Sequence, residues 1–485
     1  MGITNAEVPN DEGMTKHEAR RLGKVKLCPC LPAMCSLRHS AFVILSSFVI
    51  SHSSFLCTGC ATHADHLRDI RSAYFAGDLD RAEKLIDVEL GKRRGDAGVL
   101  KLERAMIELC AGRPASAERL LREVRDEFDH LEQRDVAEET VSMLTDDQRR
   151  AYAGEDYEKV LVRAFLSLAN LMTDGQDAAA YGLQVAAKQQ EIIQAGCVDS
   201  DDNPKLAYQR VAVGAYINAM LHEASHSNYD DAERAILQVA EWQPDFRFKA
   251  DDFERVRYGR HSEPGNGVLY VFALVGRGPY KEEAVEVPTS AALLVADRIL
   301  SVTGKHTLPP TIAPIKVPRV VRGSSRSEIP VFVDNDPEPR GKMETITDIG
   351  KIAVQQAEAV APQVLGRAIA RRVVKKGAIY ATKEAVNRGS NPLAEFGLDV
   401  IGVAWEATES ADTRCWGMLP DTIQVLRIEL PVGEHRVSFP SGWNSIAGIP
   451  TFCGEKIEIS DGRNTYVLAC FPDSRLVGRI LVSQP

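Results

Sequence analysis

The residues with the clearest capacity for chemistry are His222-Glu223-Ala224-Ser225-His226, which match the spacing H-E-x-x-H. On a helix, histidines at i and i+4 share one face. His222 and His226 would then bind Zn(II) through their imidazole nitrogens, with Glu223 as base toward a metal-bound water. The sequence around the motif argues against that use. Ser227-Asn228-Tyr229-Asp230-Asp231-Ala232 follows at once and reads as a turn, so the helix ends with the motif. No third histidine follows at a fixed spacing, and nothing singles out Glu233 or Glu241 as a third ligand. The chain also carries no nucleophile elbow, phosphate loop or dinucleotide fingerprint. The expectation is therefore a protein that is not an enzyme and has no cofactor. A zinc metallopeptidase using His222, Glu223 and His226 is the alternative.

A second chemical feature lies near the N-terminus. Ala41–Leu56 is a 16-residue apolar run, too short for the roughly 20 residues of a membrane span, preceded by Arg38 and followed by Cys57-Thr58-Gly59-Cys60. Small residues directly before Cys60 resemble the lipobox of bacterial lipoproteins. That resemblance implies a diacylated Cys60 as the mature N-terminus, a membrane anchor and a chain facing the periplasm. Cys57 stands where the pattern prefers Leu. Residues 1–59 thus read as leader and signal peptide. A signal seldom begins forty residues in, so Met34 is the expected start and 1–33 an upstream extension. Of ten cysteines, Cys110 and Cys197 fall in helical patterns and read as small buried hydrophobes. Cys453 and Cys470 fall in strand-like runs, where an oxidising compartment would permit them to pair.

Residues 60–260 supply a helical framework. Gly77-Asp-Leu-Asp-Arg-Ala82, Gly112-Arg-Pro-Ala-Ser-Ala117 and Gly175-Gln-Asp-Ala-Ala-Ala180 place Ala five residues after Gly, and Ser227 to Ala232 repeats the phrase with Ser. Apolar residues at helical spacing flank each phrase, as at Leu79, Ala82, Leu85 and Ile86. Gly would end one helix, and the small Ala would let the next approach closely. The first two phrases are 35 residues apart, near the tetratricopeptide (TPR) period, and later spacings are 63 and 52, with an acidic insertion near 132–150. A TPR-like solenoid with a concave groove for a peptide or partner protein is expected.

Beyond residue 261 the pattern changes. A β-rich segment at 261–341 contains Val268–Val275, Ala284–Val287, Thr311–Val321 and Ile329–Val333, with Asp334–Gly341 as a linker. Arg277, between Gly276 and Gly278, reads as part of a strand-turn phrase. An inserted helical segment at 342–410 starts near Thr345 and runs to Trp405. It sets Val360, Val364, Leu365, Ile369 and Val373 opposite Arg367, Arg371, Arg372, Lys375 and Lys376, a basic amphipathic helix read as packed rather than membrane-bound. At 411–485, strands at 422–430, 435–439, 456–460, 465–471 and 476–482 suggest a small β-sandwich. Asp412 and Arg414 are expected to form a structural ion pair shielded by the Trp416 indole.

The whole is an α+β fold. With 58 Lys and Arg against 68 Asp and Glu, net −10, the 485-residue chain lacks the clustered positive charge of a nucleic-acid binder. The order of its parts resembles an uncharacterised family of bacterial lipoproteins with TPR-like N-terminal helices and a β-rich C-terminal half. The phrases that carry the resemblance are Tyr157-Glu158-Lys159-Val160, Gly278-Pro279-Tyr280-Lys281-Glu282-Glu283, and Asp412-Thr413-Arg414-Cys415-Trp416 with Leu419-Pro420. The resemblance implies an envelope scaffold whose partner is another envelope protein or peptide, and it carries over no catalytic residues.

Overall fold

A computed structural model describes residues 63–92, 96–137, 151–196, 203–303, 308, 312–324, 328–387, 410–444 and 449–483. Cys60, the leader, Cys197, residues 138–150 of the acidic insertion and the run Leu393–Trp405 lie outside the described residues.

Each small-residue phrase marks a chain reversal. Helices α1 (His63–Phe75) and α2 (Leu79–Lys92), α3 (Ala97–Cys110) and α4 (Pro114–Ala137), α5 (Asp156–Leu171) and α6 (Ala178–Ala195), and α7 (Val213–Ala224) and α8 (Tyr229–Trp242) form four successive hairpins. α9 (Lys249–Arg257) packs on α8. The first three turns use Gly77, Gly112 and Gly175 at φ 83°, 86° and 69°, where a Cβ would be strained. In the fourth, His226 takes φ 55°.

The amides of Ala82, Ala117, Tyr181 and Ala232 bond back to the carbonyls of residues 78, 113, 177 and 228, so these four positions correspond. The third turn is one residue longer. It places buried Tyr181 where the others have Ala, and leaves Ala180 exposed.

The hairpins form two sublayers. α5 is buried at every residue from Tyr157 to Leu171, and α3 and α7 are nearly so. α2 buries only Ala82 and Ile86, and α8 only the stripe Ala232, Ile236, Val239 and Trp242. A helix enclosed all round must be covered on both sides. Here the outer helices cover one side of the inner ones and a sheet covers the other.

That sheet is built around β1 (Asn266–Val275). With β6 (Glu344–Asp348), β7 (Thr422–Pro431), β10 (Asn464–Phe471) and β11 (Val477–Val482) it runs β11-β10-β1-β7-β6. β1 and β10 are parallel, and the other neighbours are antiparallel. Alternation along β1 sends Val268, Tyr270, Phe272 and Leu274 toward the helices. Leu269, Val271, Ala273 and Val275 go to a second core. The second core is closed by a four-stranded sheet, β5 (Gly341–Lys342), β4 (Pro330–Val333), β8 (Gly433–Asn444) and β9 (Ile449–Ile459), through Val331, Val333, Val437, Phe439, Ile457 and Ile459.

β2 (Tyr280–Glu286) pairs with β3 (Ile315–Val321). A third core joins β3 to α10 (Ser290–Thr303) and the long α11 (Ile349–Asn387) through Ile315, Val317, Ala292, Ala296, Leu300, Leu365 and Ile369.

The chain is thus α+β, with most strands where the alternation placed them. Four features differ from expectation, the first being helix α10 within the segment read as β-rich. Thr345–Asp348, expected to open the helical segment, is strand β6, because its β-branched threonines pair with β7. Strands from 261–341 and from 411–485 interleave in the same sheets, since β1 sits between β10 and β7. The inner helical surface, expected to be an open groove, is packed against the chain's own sheet. The apolar face of α11 packs as expected, and Arg372 donates to the carbonyls of Ala313 and Pro314 at 3.1 and 3.0 Å. Among the described residues no helix is long and apolar enough to cross a membrane.

Candidate functional site

The H-E-x-x-H residues do not assemble a zinc centre. α7 ends at Ala224, and the positive φ of His226 takes the backbone off the helical path, so the i, i+4 alignment with His222 is lost. His226 Nε2 lies 2.7 Å from the Gly462 carbonyl, and its ring meets that of His261 edge-on. Glu223 points the other way, into the helix–sheet interface, where it is 1% exposed. It accepts from Arg255 at 2.7 and 3.1 Å and from the Tyr270 hydroxyl at 3.4 Å, and Arg427 lies 3.6 Å away. Arg255 also binds Asp252, whose carboxyl burial pushes upward. Two carboxylates thus face two guanidiniums, a matched set that braces α7, α9, β1 and β7 and buries Glu223 away from the two histidines. No group of three His, Cys, Asp or Glu able to hold a metal occurs among the described residues.

The phrases Tyr157–Val160, Gly278–Glu283 and Asp412–Trp416, more than a hundred residues apart, converge on one buried junction. Glu158 accepts from the Trp416 amide at 2.7 Å, from the Tyr157 hydroxyl at 3.3 Å and from the Tyr152 hydroxyl. Burial, then the neighbouring Glu155, raises its pKa. Lys281 pairs with Glu155. Asp412 and Arg414 form the expected ion pair, at 2.9 and 2.8 Å, and Arg414 reaches Asp96 at 3.3 Å. His63, whose Nδ1 lies 3.4 Å from the carboxylate, and then Arg414 lower Asp96 to about 2. The aromatic over Arg414 is Tyr152, with its centroid 5.4 Å away, not Trp416 as expected. Trp416 is fully buried against Phe165, with centroids 5.2 Å apart, because the peptide turns it into the helical core. This junction fastens α5 to the segment entering β7.

An open concavity lies elsewhere. β1 and β10 are parallel neighbours that end together at Val275 and Phe471. A cleft of about 1180 Å³ opens there, between α1 and the loops following β1 and β10, with Arg68, Arg71, Arg277 and Arg475 on its walls. Arg71 is committed to Glu103, at 3.0 and 2.5 Å, and to the Cys415 carbonyl at 3.0 Å. Arg277 lies flat over Phe75, 4.4 Å from the ring centre, and grips Asp473 at 3.1 and 2.6 Å. Arg68 and Arg475 stand exposed at the rim.

A tight backbone knot sets Arg277. The amides of Gly276, Arg277 and Gly278 donate to the carbonyls of Phe471, Ser324 and Leu419. A Cβ on Gly276, Gly278 or Gly323 would come within 2.5 Å of a backbone oxygen. The Gly-Arg-Gly phrase follows β1 as the strand turn that was expected, and it is the local sequence feature that sets Arg277 at the cleft.

Cys453 is exposed and Cys470 is buried, so the two are not set to pair as considered. β10 carries Cys470 on its helix-facing side, toward Cys110, rather than toward β9. No protein-family model matches the chain, and neither a curated protein nor a solved structure is significantly similar to it.

Proposed function

We propose that this chain is a membrane-anchored envelope lipoprotein, acylated at Cys60 and facing the periplasm, that docks another envelope protein rather than making or breaking bonds. In this reading the hairpins form a TPR-like frame and the two facing sheets a sandwich, and both hold the docking surface rigid. The observation that carries the proposal is the cleft on α1, a concave surface whose walls carry Arg68, Arg71, Arg277 and Arg475 together with Asp65 and Asp473. Its place supports the anchor as well. Cys60 precedes His63, the first residue of α1, by three positions, a reach of at most about 11 Å. Acyl chains on Cys60 would thus tether the start of α1, the helix that lines the cleft, close to a membrane-borne partner presenting an acidic extended segment.

The test separates the two parts. A clickable fatty acid should label the wild-type chain and not Cys60→Ser, and the label should fractionate with membranes. An Arg68→Glu/Arg475→Glu double variant should stay acylated but lose the partner recovered after crosslinking. An unlabelled wild-type chain contradicts the anchor, and unchanged recovery from the double variant contradicts the cleft.

A further inference from the structure

We infer that Cys110 and Cys470 form a disulfide that fastens the helical layer to the central sheet. Their sulfurs lie 3.0 Å apart, although 360 residues separate them in the chain. Both are buried, Cys110 as the last residue of α3 and Cys470 one residue before the end of β10. A disulfide needs about 2.05 Å between sulfurs, so closure asks for roughly 1 Å of side-chain movement.

The backbones that bring them together are themselves held. Gly478, at φ 76°, lies so close to Cys110 that a Cβ there would sit 1.9 Å from the Cys110 carbonyl oxygen, and Gly112 packs on Arg479 in the same way. The α3–α4 turn is therefore seated on the start of β11, and the meeting of the sulfurs is built into the packing of two layers. Tyr74, whose hydroxyl lies 3.3 Å from the Cys110 sulfur, closes the site from α1.

The reaction is balanced by a disulfide-bearing oxidant such as glutathione disulfide or a dithiol oxidase. The two protein thiols lose two protons and two electrons and join through one sulfur–sulfur bond, and the oxidant's disulfide is reduced to two thiols. Hydrogen bonding to Cys110, together with burial, pushes the Cys470 thiol well above its ordinary pKa, so thiolate is scarce once the layers have closed. The bond consequently forms while the chain folds, and the closed reduced protein oxidises slowly. The bond's place, beneath the loop that carries Asp473 and Arg475, lets it stiffen one wall of the cleft. The inference itself stands on the sulfur geometry and needs neither the lipid anchor nor a docked partner.

The full chain is purified without reductant, denatured in N-ethylmaleimide, digested and mapped by mass spectrometry. A second sample is first refolded in a glutathione redox buffer. The expected result in both is a linked peptide joining Cys110 to Cys470, absent from Cys470→Ser, with a thermal midpoint that falls on the order of 5 °C on reduction. If Cys470→Ser does not fold, Cys110→Ser provides the same comparison. Recovery of both cysteines as separate maleimide adducts from protein refolded in the glutathione redox buffer would overturn the inference, as would a link from Cys470 to Cys453.

Discussion

Glu223 with Arg255 and Asp473 with Arg277 are the same kind of pair, a carboxylate gripped by a guanidinium, in two different settings. The first lies inside the helix–sheet interface, its carboxylate 2% and its guanidinium 15% exposed. The second stands at the cleft, each side chain 44% exposed. Water screens the second pair and lets either member exchange its partner for a ligand, whereas the first pair has nothing to exchange with. Residue type alone does not separate a buried brace from an exposed, exchangeable pair in this molecule. Burial does.

The comparison breaks most sharply if Glu223→Ala is mild. That change leaves Arg255 and Arg427 facing Asp252 alone inside the interface, and urea unfolding should show a loss of about 3–5 kcal/mol. A loss below 1 kcal/mol would mean that water reaches the interface.

Glycine geometry is the next largest effect. Gly112→Ala forces a Cβ onto a left-handed residue and against Arg479, and should cost about 1–2 kcal/mol. Gly175→Ala has open space around it and carries only the backbone part of that cost. Equal losses at the two sites would show that the α3–α4 turn does not rest on β11.

Asp473→Ala, the counterpart of Glu223→Ala, should change stability by only about 0–1 kcal/mol while altering the cleft, as surface pairs do.

Asp96 gives a dependence on pH. Its carboxyl is held at about 2 in the folded chain against 3.8 ordinarily, so its contribution is complete above about pH 4 and disappears as pH falls toward 2. The stability gap between wild type and Asp96→Asn should therefore close over that interval, and a gap that persists at pH 2 would contradict the assignment.

The smallest effect belongs to the motif with the most suggestive spelling. His222→Ala should shift stability by no more than about 0.5 kcal/mol and leave metal content unchanged. Stoichiometric zinc lost with that substitution would restore the peptidase reading.

What the sequence made legible was local. The φ-positive glycines punctuate the hairpins because only glycine is at ease there, and strand alternation located β1, β7 and β10 to within a residue or two. The Asp412–Arg414 pair could be read because its members are two residues apart. What stayed hidden depends on contacts between distant segments. Nothing in Val268–Val275 says that it lies parallel to a strand almost two hundred residues later, so the closing of the helical groove by the sheet could not be foreseen. The aromatic over Arg414 was misassigned for the same reason: Trp416 is adjacent in sequence, but Tyr152 is adjacent in space. Helix α10 went unread beside the proline-rich stretch that follows it. The cleft arises where α1 meets two strand ends, and its single local sign was an arginine between two glycines.

The central claim is that docking takes place at the cleft and not on the outer helices. A photo-crosslinking residue placed at Arg475, and in a separate chain at Leu237, an exposed position on α8, tests it directly in intact envelopes. A discrete adduct with an envelope protein is expected from position 475 and none from position 237. An adduct from position 237 with none from position 475 would contradict it.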